Sequence, residues 1–354
     1  MMINELVGTT LPIIQAPMAG VQDASLAAAV CNAGGLGSLP CAMLTVEQLE
    51  EEVSKLAALT DRPFNLNFFC HRPVAATEAQ QRAWLDSLAG YFEELGIDPP
   101  APLWGHSRQP FDAGVLDLLE KVRPAVVSFH FGLPDAEWVT RIKSLGTTVL
   151  STATTVEEAV WLADHGADAI IAQGLEAGGH RGSFLSEDLT TQSGLLALVP
   201  RICAEVSLPV VAAGGIAGPE EVAAALALGA AGVQAGTTFL LCTEAGTSAL
   251  HRCAIKSPGA GHTAVTNVFT GRPARSIVNR LVRELGPMAP SAPPFSSAAN
   301  AVSALRRATE PDGCSDFTPL WCGQNTLGCR EAPAAEVVAY LAGGLGEQRR
   351  GRES

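Results

Sequence analysis

The chain has 354 residues, 47% of them hydrophobic and 17% charged, with a formal charge of −13 at pH 7. It is too apolar for a disordered chain, and so acidic a surface excludes the basic face that nucleic acid or anionic lipid requires. No apolar run reaches the roughly 18–20 residues of a membrane span, and MMINELVGTT lacks the basic-then-apolar order of a secretory leader. The nine cysteines are scattered, odd in number and without a CxxC pair, which reads as free thiols in a reducing cytoplasm. A zinc site on Cys314, Cys322 and Cys329 is the other reading, against which their irregular spacing speaks.

In chain order, eight short apolar runs predict strands: Ile13–Met18, Gly35–Leu39, Phe64–Phe69, Ala125–Phe131, Thr147–Ala153, Ala167–Gln173, Pro209–Ala213 and Gly232–Ala235. Most lack polar alternation, the pattern of strands buried on both faces. Helical stretches lie between them. Thr45 with Gln48 and Thr155 with Glu158 have capping-box spacing, and Gly218-Pro219-Glu220-Glu221 places Pro and acids where a helix begins. The stretch from Ala76 to Arg123 is longer than one crossover needs; it predicts an extra helix, with Pro99-Pro100-Ala101-Pro102 as a break. GGLG at Gly34–Gly37 follows a helical run and lacks GxGxxG spacing, so it is not a dinucleotide fingerprint.

Eight strand–helix units predict a closed (β/α)₈ TIM barrel, with an open doubly wound sheet as the alternative. After Leu241 no strand-like run follows. Ala- and Arg-rich helical stretches reach about Arg307, broken by Pro-rich Gly286–Phe295. The expected organisation is a barrel of residues 1–240 and 320–354 and a mostly helical subdomain, 241–319, inserted after strand eight as a lid. Phe317–Gln324 and a last helix, Ala334–Leu341, return to the barrel; the GEQRRGRES tail is expected to be disordered.

Barrel sites lie at the C-terminal ends of the strands. Strand seven ends in Ala213-Gly214-Gly215-Ile216 and strand eight continues through Gln234-Ala235-Gly236-Thr237-Thr238. Loops after these strands often hold a phosphate on backbone N–H groups, without Lys or Arg; the plainer reading is tight turns. Strand six runs into Gln173-Gly174-Leu175-Glu176-Ala177-Gly178-Gly179-His180, a backbone that can wrap a flat ligand, with an amide that donates and accepts. His180 on that loop can remove a weakly acidic C–H proton or orient an anion; a structural histidine bonded to backbone is the other reading. Asn67 can bond a heterocycle edge or cap its strand. Ser128 and His130 share one parity, so His130 lines the pocket or fills the barrel. Met18, beside Pro17, can pack on a ring system or simply fill the core. His71, His106, His165, His251 and His262 read as structural or surface groups. No GxSxG elbow, HExxH or Walker loop is present, so hydrolase and kinase readings have no support.

In this order QAPMAG with AGGLG, NFFCHRP, SFHFGLP, TATTVEEAVWLADHGADAIIAQGLEAGGHRG, AAGGIAG, VQAGTTFL, GRPAR and PLWCGQ resemble the nitronate monooxygenase family, class I bacterial type, over most of the chain. The resemblance implies an FMN-bearing barrel that uses O₂ to convert an alkyl nitronate, or a nitroalkane, to a carbonyl compound and nitrite. It implies His180 as catalytic base. It implies flavin contacts from Ala16, Pro17, Met18, Asn67, Gln173, Gly178 and Gly179, then from Gly214, Gly215, Gln234, Ala235, Gly236, Thr237 and Gln324. His130 and Met18 would line the substrate pocket, and no metal is expected. Cys322, where a small residue is commoner, is the nearest thing to a departure. An FMN-dependent NAD(P)H enoyl-thioester reductase and a non-catalytic flavin-binding protein are the rival readings. The sequence leaves a homodimer open.

Overall fold

The computed structural model describes residues 1–101 and 109–346. Eight parallel strands form one sheet: β1 (Ile13–Gln15), β2 (Ser38–Pro40), β3 (Asn65–Phe69), β4 (Val126–His130), β5 (Thr148–Ala153), β6 (Ala169–Gln173), β8 (Val210–Ala213) and β9 (Gly232–Ala235). Their order is β1-β9-β8-β6-β5-β4-β3-β2. A bridge between Ile14 and Leu36 joins the two ends, with Gln15 N–H donating to Leu36 O and Leu36 N–H to Ile13 O, each at 2.9 Å. The sheet is thus a (β/α)₈ barrel, and the open-sheet alternative falls.

Strand parity sorts the side chains. Ile14, Val126, Leu150, Ala169, Ile171, Val211 and Ala213 fill the interior. Alternate residues, such as Phe68, Val127, Phe129, Ile170, Ala172, Val210, Ala212 and Val233, face the helical ring. The interior changes character upward: Asn67, Ser128, Thr152, Gln173 and Gln234 share the inward parity and line the mouth. A helix absent from the sequence reading, Ile3–Val7, plugs the bottom, where Ile3 and Val7 join the interior core. Being five residues long, it has no period to detect.

The outer helices include Ala24–Asn32, Val46–Leu59, Val156–Asp164 and Pro219–Ala227. The Thr45–Gln48 capping box forms in full, and Gly218 caps a helix with Pro219 at its first turn. At Thr155 only half the expected box forms: its hydroxyl accepts from Glu158 N–H. The Glu158 carboxylate turns inward instead, accepting from Thr154 and from the N–H groups of Phe184 and Leu185. The last helix, Ala334–Ala342, packs Val337, Val338 and Leu341 into the same core as Leu26 and Val222, completing the ring.

Gly37 explains the GGLG stretch. A Cβ there would sit 2.0 Å from the Ala27 carbonyl oxygen, so the helix backbone rides directly on the lead-in to β2. Gly37→Ala is expected to force the helix outward and cost about 1–3 kcal/mol, read as a lower denaturant midpoint; an unchanged midpoint would mean the contact yields freely.

Between Leu241 and Pro319, expected to be mostly helical, the structure also holds two short strands. Helices Ala249–Lys256, Arg280–Leu285 and Ala299–Thr309 are present, but so are β10 (Thr263–Thr266) and β11 (Ala274–Ile277). These pair antiparallel, and β11 also pairs with β7 (Gly179–His180), a two-residue strand above the barrel. Four-residue strands that mix Thr, Arg and Ser with Ala, Val and Ile carry no apolar run, so their sequence signal was weak. The extra helix expected after β3 is Glu78–Leu95. Its Trp84, Leu88, Tyr91 and Phe92 share a separate core with Phe269, Leu281, Val302, Leu305 and Phe317. The upper layer therefore draws on two insertions rather than one. Pro102, His106 and residues 347–354 of the tail lie outside the described residues, and no described helix is long and apolar enough to cross a membrane.

Candidate active site

A single cavity gathers the expected residues at the barrel mouth. Ala16, Pro17 and Met18 line it from β1; Asn67 and Phe69 from β3; Ser128 and His130 from β4; Gln173, Gly178, Gly179 and His180 from β6 and its loop. Gly214 and Gly215 enter from β8, and Gln234, Ala235, Gly236 and Thr237 from β9. Gln324 is the exception. It is exposed, and its N–H donates to the Glu176 carbonyl at 3.0 Å; its neighbours Gly323 and Asn325 line the cavity instead. A turn that faces the cavity with one residue presents the next to solvent, a parity that no spacing argument had resolved.

His180 sits on β7, held from three sides. Its carbonyl accepts from Gln173 Nε2 at 2.9 Å and from His130 Nε2 at 3.2 Å. Its ring Nε2 lies 2.9 Å from Thr270 Oγ1. Trp321 and Phe295 pack on the ring with centroids 5.3 and 5.4 Å away, and Phe131 at 6.4 Å. Its backbone is clamped, while its ring borders the cavity.

The clamp uses groups that the sequence reading had offered to a ligand. Gln173 Oε1 accepts from Gly182 N–H at 2.8 Å while Nε2 holds His180. Asn67 Nδ2 donates to Ser128 Oγ and to the Ser128 carbonyl, so Oδ1 is what it can offer a ligand. His130 lines the cavity and is not mere filling. Burial pushes its pKa down to about 3, helped by the Arg272 and Arg181 charges. It is therefore neutral, with Nε2–H donating to the carbonyl of His180 and Nδ1 accepting from the Thr152 hydroxyl at 3.1 Å.

Three arginines that the sequence analysis passed over fix the glycine-rich loop. Arg181 is fully buried and donates to Gln192 Oε1 (2.7 Å), the Gly174 carbonyl (2.8 Å) and the Gln173 carbonyl (2.8 Å). Arg275, on β11, reaches the Leu175 carbonyl at 2.8 Å. Arg272 donates to the Ser183 carbonyl and lies 3.8 Å above the Phe131 ring. The EAGGHRG stretch contains Arg181, whose partners lie 7, 8 and 11 residues away, outside the motif itself, while Arg275 meets Leu175 across 100 residues.

Two histidines also emerge unexpectedly. His251 lines the cavity and donates from Nε2 to the Trp321 carbonyl at 3.1 Å, its pKa pushed down to about 4 by burial. His71 meets the Phe295 ring at 5.0 Å, on the side chain that also packs against His180. His251 has no local motif, and His71, within NFFCHRP, reads from sequence as a structural or surface group. Phe131 adopts φ +71 at the end of β4, a conformation a bulky side chain rarely accepts and one that aims its ring between Arg272 and His180.

Glycine is required at two positions for different reasons. At Gly178 a Cβ would lie 2.6 Å from the backbone of Cys322 and Gly323, so this residue admits the late segment. At Gly215 φ is +69, which turns the chain away from β8 along the cavity. All nine cysteines are free thiols, and the described residues contain no group of His, Cys, Asp or Glu arranged to hold a metal ion.

Comparison with known proteins agrees with this geometry. The family model described as nitronate monooxygenase matches residues 1–344. The nitronate monooxygenase of Pseudomonas aeruginosa is 45% identical over 340 residues, 96% of this chain and 97% of that one. That of Paraburkholderia phytofirmans is 43% identical, covering 95% and 92%. The crystal structure of nitroalkane oxidase from Streptomyces ansochromogenes superposes with a TM-score of 0.88 at 42% identity, over 99% of each chain. FabK from Thermotoga maritima is more distant, with a TM-score of 0.73 and 26% identity over 99% and 97%. With the motifs in order, the barrel closed and the match running from the first residue to 344, the chain belongs to the nitronate monooxygenase family.

Proposed function

We propose that the protein is an FMN-dependent nitronate monooxygenase that oxidises alkyl nitronates, and nitroalkanes after proton removal, with O₂ to carbonyl compounds and nitrite. The observation that carries this reading is the placement of His180, a fixed imidazole beside a cavity with the chemistry of a flavin site. The fit rests on unmet demands in that cavity. Gln234 Oε1 is buried at the mouth without a hydrogen-bond partner and asks for an N–H donor. Gly179 would point a Cβ into open space, and at Gly236 a Cβ would meet Ala16 and Met18 at 3.3 and 3.6 Å. A planar ring with N–H and carbonyl edges satisfies such a site. The loops Gly214–Gly215 and Gly236–Thr237 would take the phosphate, with Asn67 Oδ1 and Gln234 at the ring edge.

Bound there, the flavin supplies the electron-accepting and oxygen chemistry. The chain's own work is positional. Gln173 and His130 hold the His180 carbonyl, and Phe131, Phe295 and Trp321 exclude water around the ring. His180 takes the α-proton of a neutral nitroalkane; a nitronate arrives without it. The segment 241–319, with the helix Glu78–Leu95, covers this chemistry as a lid. A cytoplasmic location fits the nine free thiols.

The test is anaerobic stopped-flow absorbance of the purified holoenzyme, mixed separately with ethyl nitronate and with NADH or NADPH. Flavin bleaching by the nitronate, then nitrite once air is admitted, is expected. Bleaching by the nicotinamide alone would replace this reading with the enoyl-thioester reductase. A flavin inert to both would leave a binding protein. The site itself is tested by Gly236→Val, which fills the space beside Ala16 and Met18. The purified variant is expected to retain less than about a tenth of its flavin, as a bulky group in a close-fitting site costs 1–3 kcal/mol, with unchanged circular dichroism. Full flavin content would move the cofactor elsewhere.

A further inference from the structure

Thr270 stands in the turn between β10 and β11, far in sequence from every loop that builds the barrel mouth. It is buried, and its Oγ1 lies 2.9 Å from His180 Nε2. The same hydroxyl lies 3.4 Å from the carbonyl of Arg272, a group that can only accept. The hydroxyl proton therefore goes to Arg272, and the Thr270 oxygen is left to accept from an Nε2–H on the imidazole. The turn cannot drift. Gly271, at φ +84, is packed so closely that a Cβ would come within 2.0 Å of the Pro293 carbonyl oxygen. On its far side Ala274 pairs with His180 in the ladder of β11 and β7.

We propose that Thr270 is a positioning residue that selects the protonation state of His180, holding the proton on Nε2 and so presenting Nδ1 as the base. This deepens, and rests on, the reading of His180 as the group that deprotonates nitroalkanes. The step balances: the α-carbon's C–H bond breaks, its electron pair stays on the nitronate, and the proton joins Nδ1. The imidazolium so formed strengthens its Nε2–H bond to Thr270 Oγ1, since a charged donor is held more tightly than a neutral one. The inserted hairpin is thereby part of the acid–base machinery as well as cover for the mouth.

The neighbouring groups on other elements do not confound the comparison. His130 on β4 stays neutral, with its pKa pushed down to about 3. Arg181 after β7 and Arg272 before β11 remain charged at neutral pH even though burial lowers each to about 10. His71, after β3, shares the Phe295 ring with His180. All are retained in a variant changed only at Thr270.

The experiment compares wild type, Thr270→Val and Thr270→Ser as holoenzymes, with nitroethane and with ethyl nitronate. Thr270→Val is expected to lose about ten- to a hundredfold in kcat/KM for nitroethane, the scale of a hydrogen bond to a charged group. Its acidic limb should move to lower pH, because an acceptor that favoured the imidazolium is gone. Ethyl nitronate turnover should fall far less, and Thr270→Ser should restore most of the loss. Equal loss on both substrates, an unmoved limb, or a limb moved to higher pH would overturn the proposal. Nitrogen-15 NMR of imidazole-labelled holoenzyme, with the His180 signals assigned against His180→Asn, reads the ring without turnover. Protonated Nε2 in the wild type supports the assignment and protonated Nδ1 refutes it. Wild type that fails to oxidise nitronate would sink the catalytic reading while leaving that spectrum to decide the hydrogen bond.

Discussion

His180→Asn is expected to lower kcat/KM for a neutral nitroalkane by about 10²–10⁴-fold, the usual contribution of a positioned general base. Asparagine can still hydrogen-bond to Thr270 but cannot accept the α-proton at neutral pH. Turnover of the pre-formed nitronate should fall far less, because its proton is already gone. The loss should be selective because the substituted residue keeps its backbone role. The carbonyl that accepts from Gln173 and His130 belongs to residue 180 whatever its side chain. Flavin content and thermal stability should stay near the wild type. Equal damage to nitroalkane and nitronate would remove His180 from the role of base and make it a binding group.

The second large effect concerns stability and the loop that carries His180. Arg181→Met removes a fully buried guanidinium and leaves the carbonyls of Gln173 and Gly174 and the Gln192 amide oxygen without donors. Breaking a buried charged network from one side costs about 3–5 kcal/mol, because the abandoned acceptors find no water. The loop from Gly174 to Gly182 carries four glycines in nine residues and has little order of its own. We expect a denaturant midpoint lowered by that amount and a flavin that is easily lost on gel filtration. Arg181→Lys should recover only part, since one ammonium cannot reproduce a planar fork of donors aimed at three oxygens. A methionine variant as stable as the wild type, with its flavin retained, would show that the loop is ordered by the cofactor and β11 alone.

These two predictions mark different degrees of legibility. The barrel could be read from eight apolar runs because strands buried on both faces need apolar side chains almost throughout, whatever their partners. The mouth residues were legible for a related reason: in a parallel barrel the residue that ends each strand must face the site, so position along the run implies place in the fold. His180 stood out by its glycine-rich setting, and the ordered motifs carried the family. Gln324 is exposed, between Gly323 and Asn325, which line the cavity, a difference that spacing along the chain does not encode.

What the sequence determined by itself was therefore the class of fold and most of the residues that line the barrel mouth, His180 among them. These follow from local periodicity and from glycine, both of which act within a few residues. What only the tertiary structure decided was how that histidine is held. Thr270, His130 and the three arginines meet the loop across 7 to 100 residues of chain, through directional bonds that no local pattern encodes. The strands β10 and β11 were invisible for the same reason. Their side chains do not form an apolar run; they pair with each other, and β11 also pairs with the two residues of β7 beside the site, a contact that exists only once the barrel has closed and the inserted segment has folded back over it.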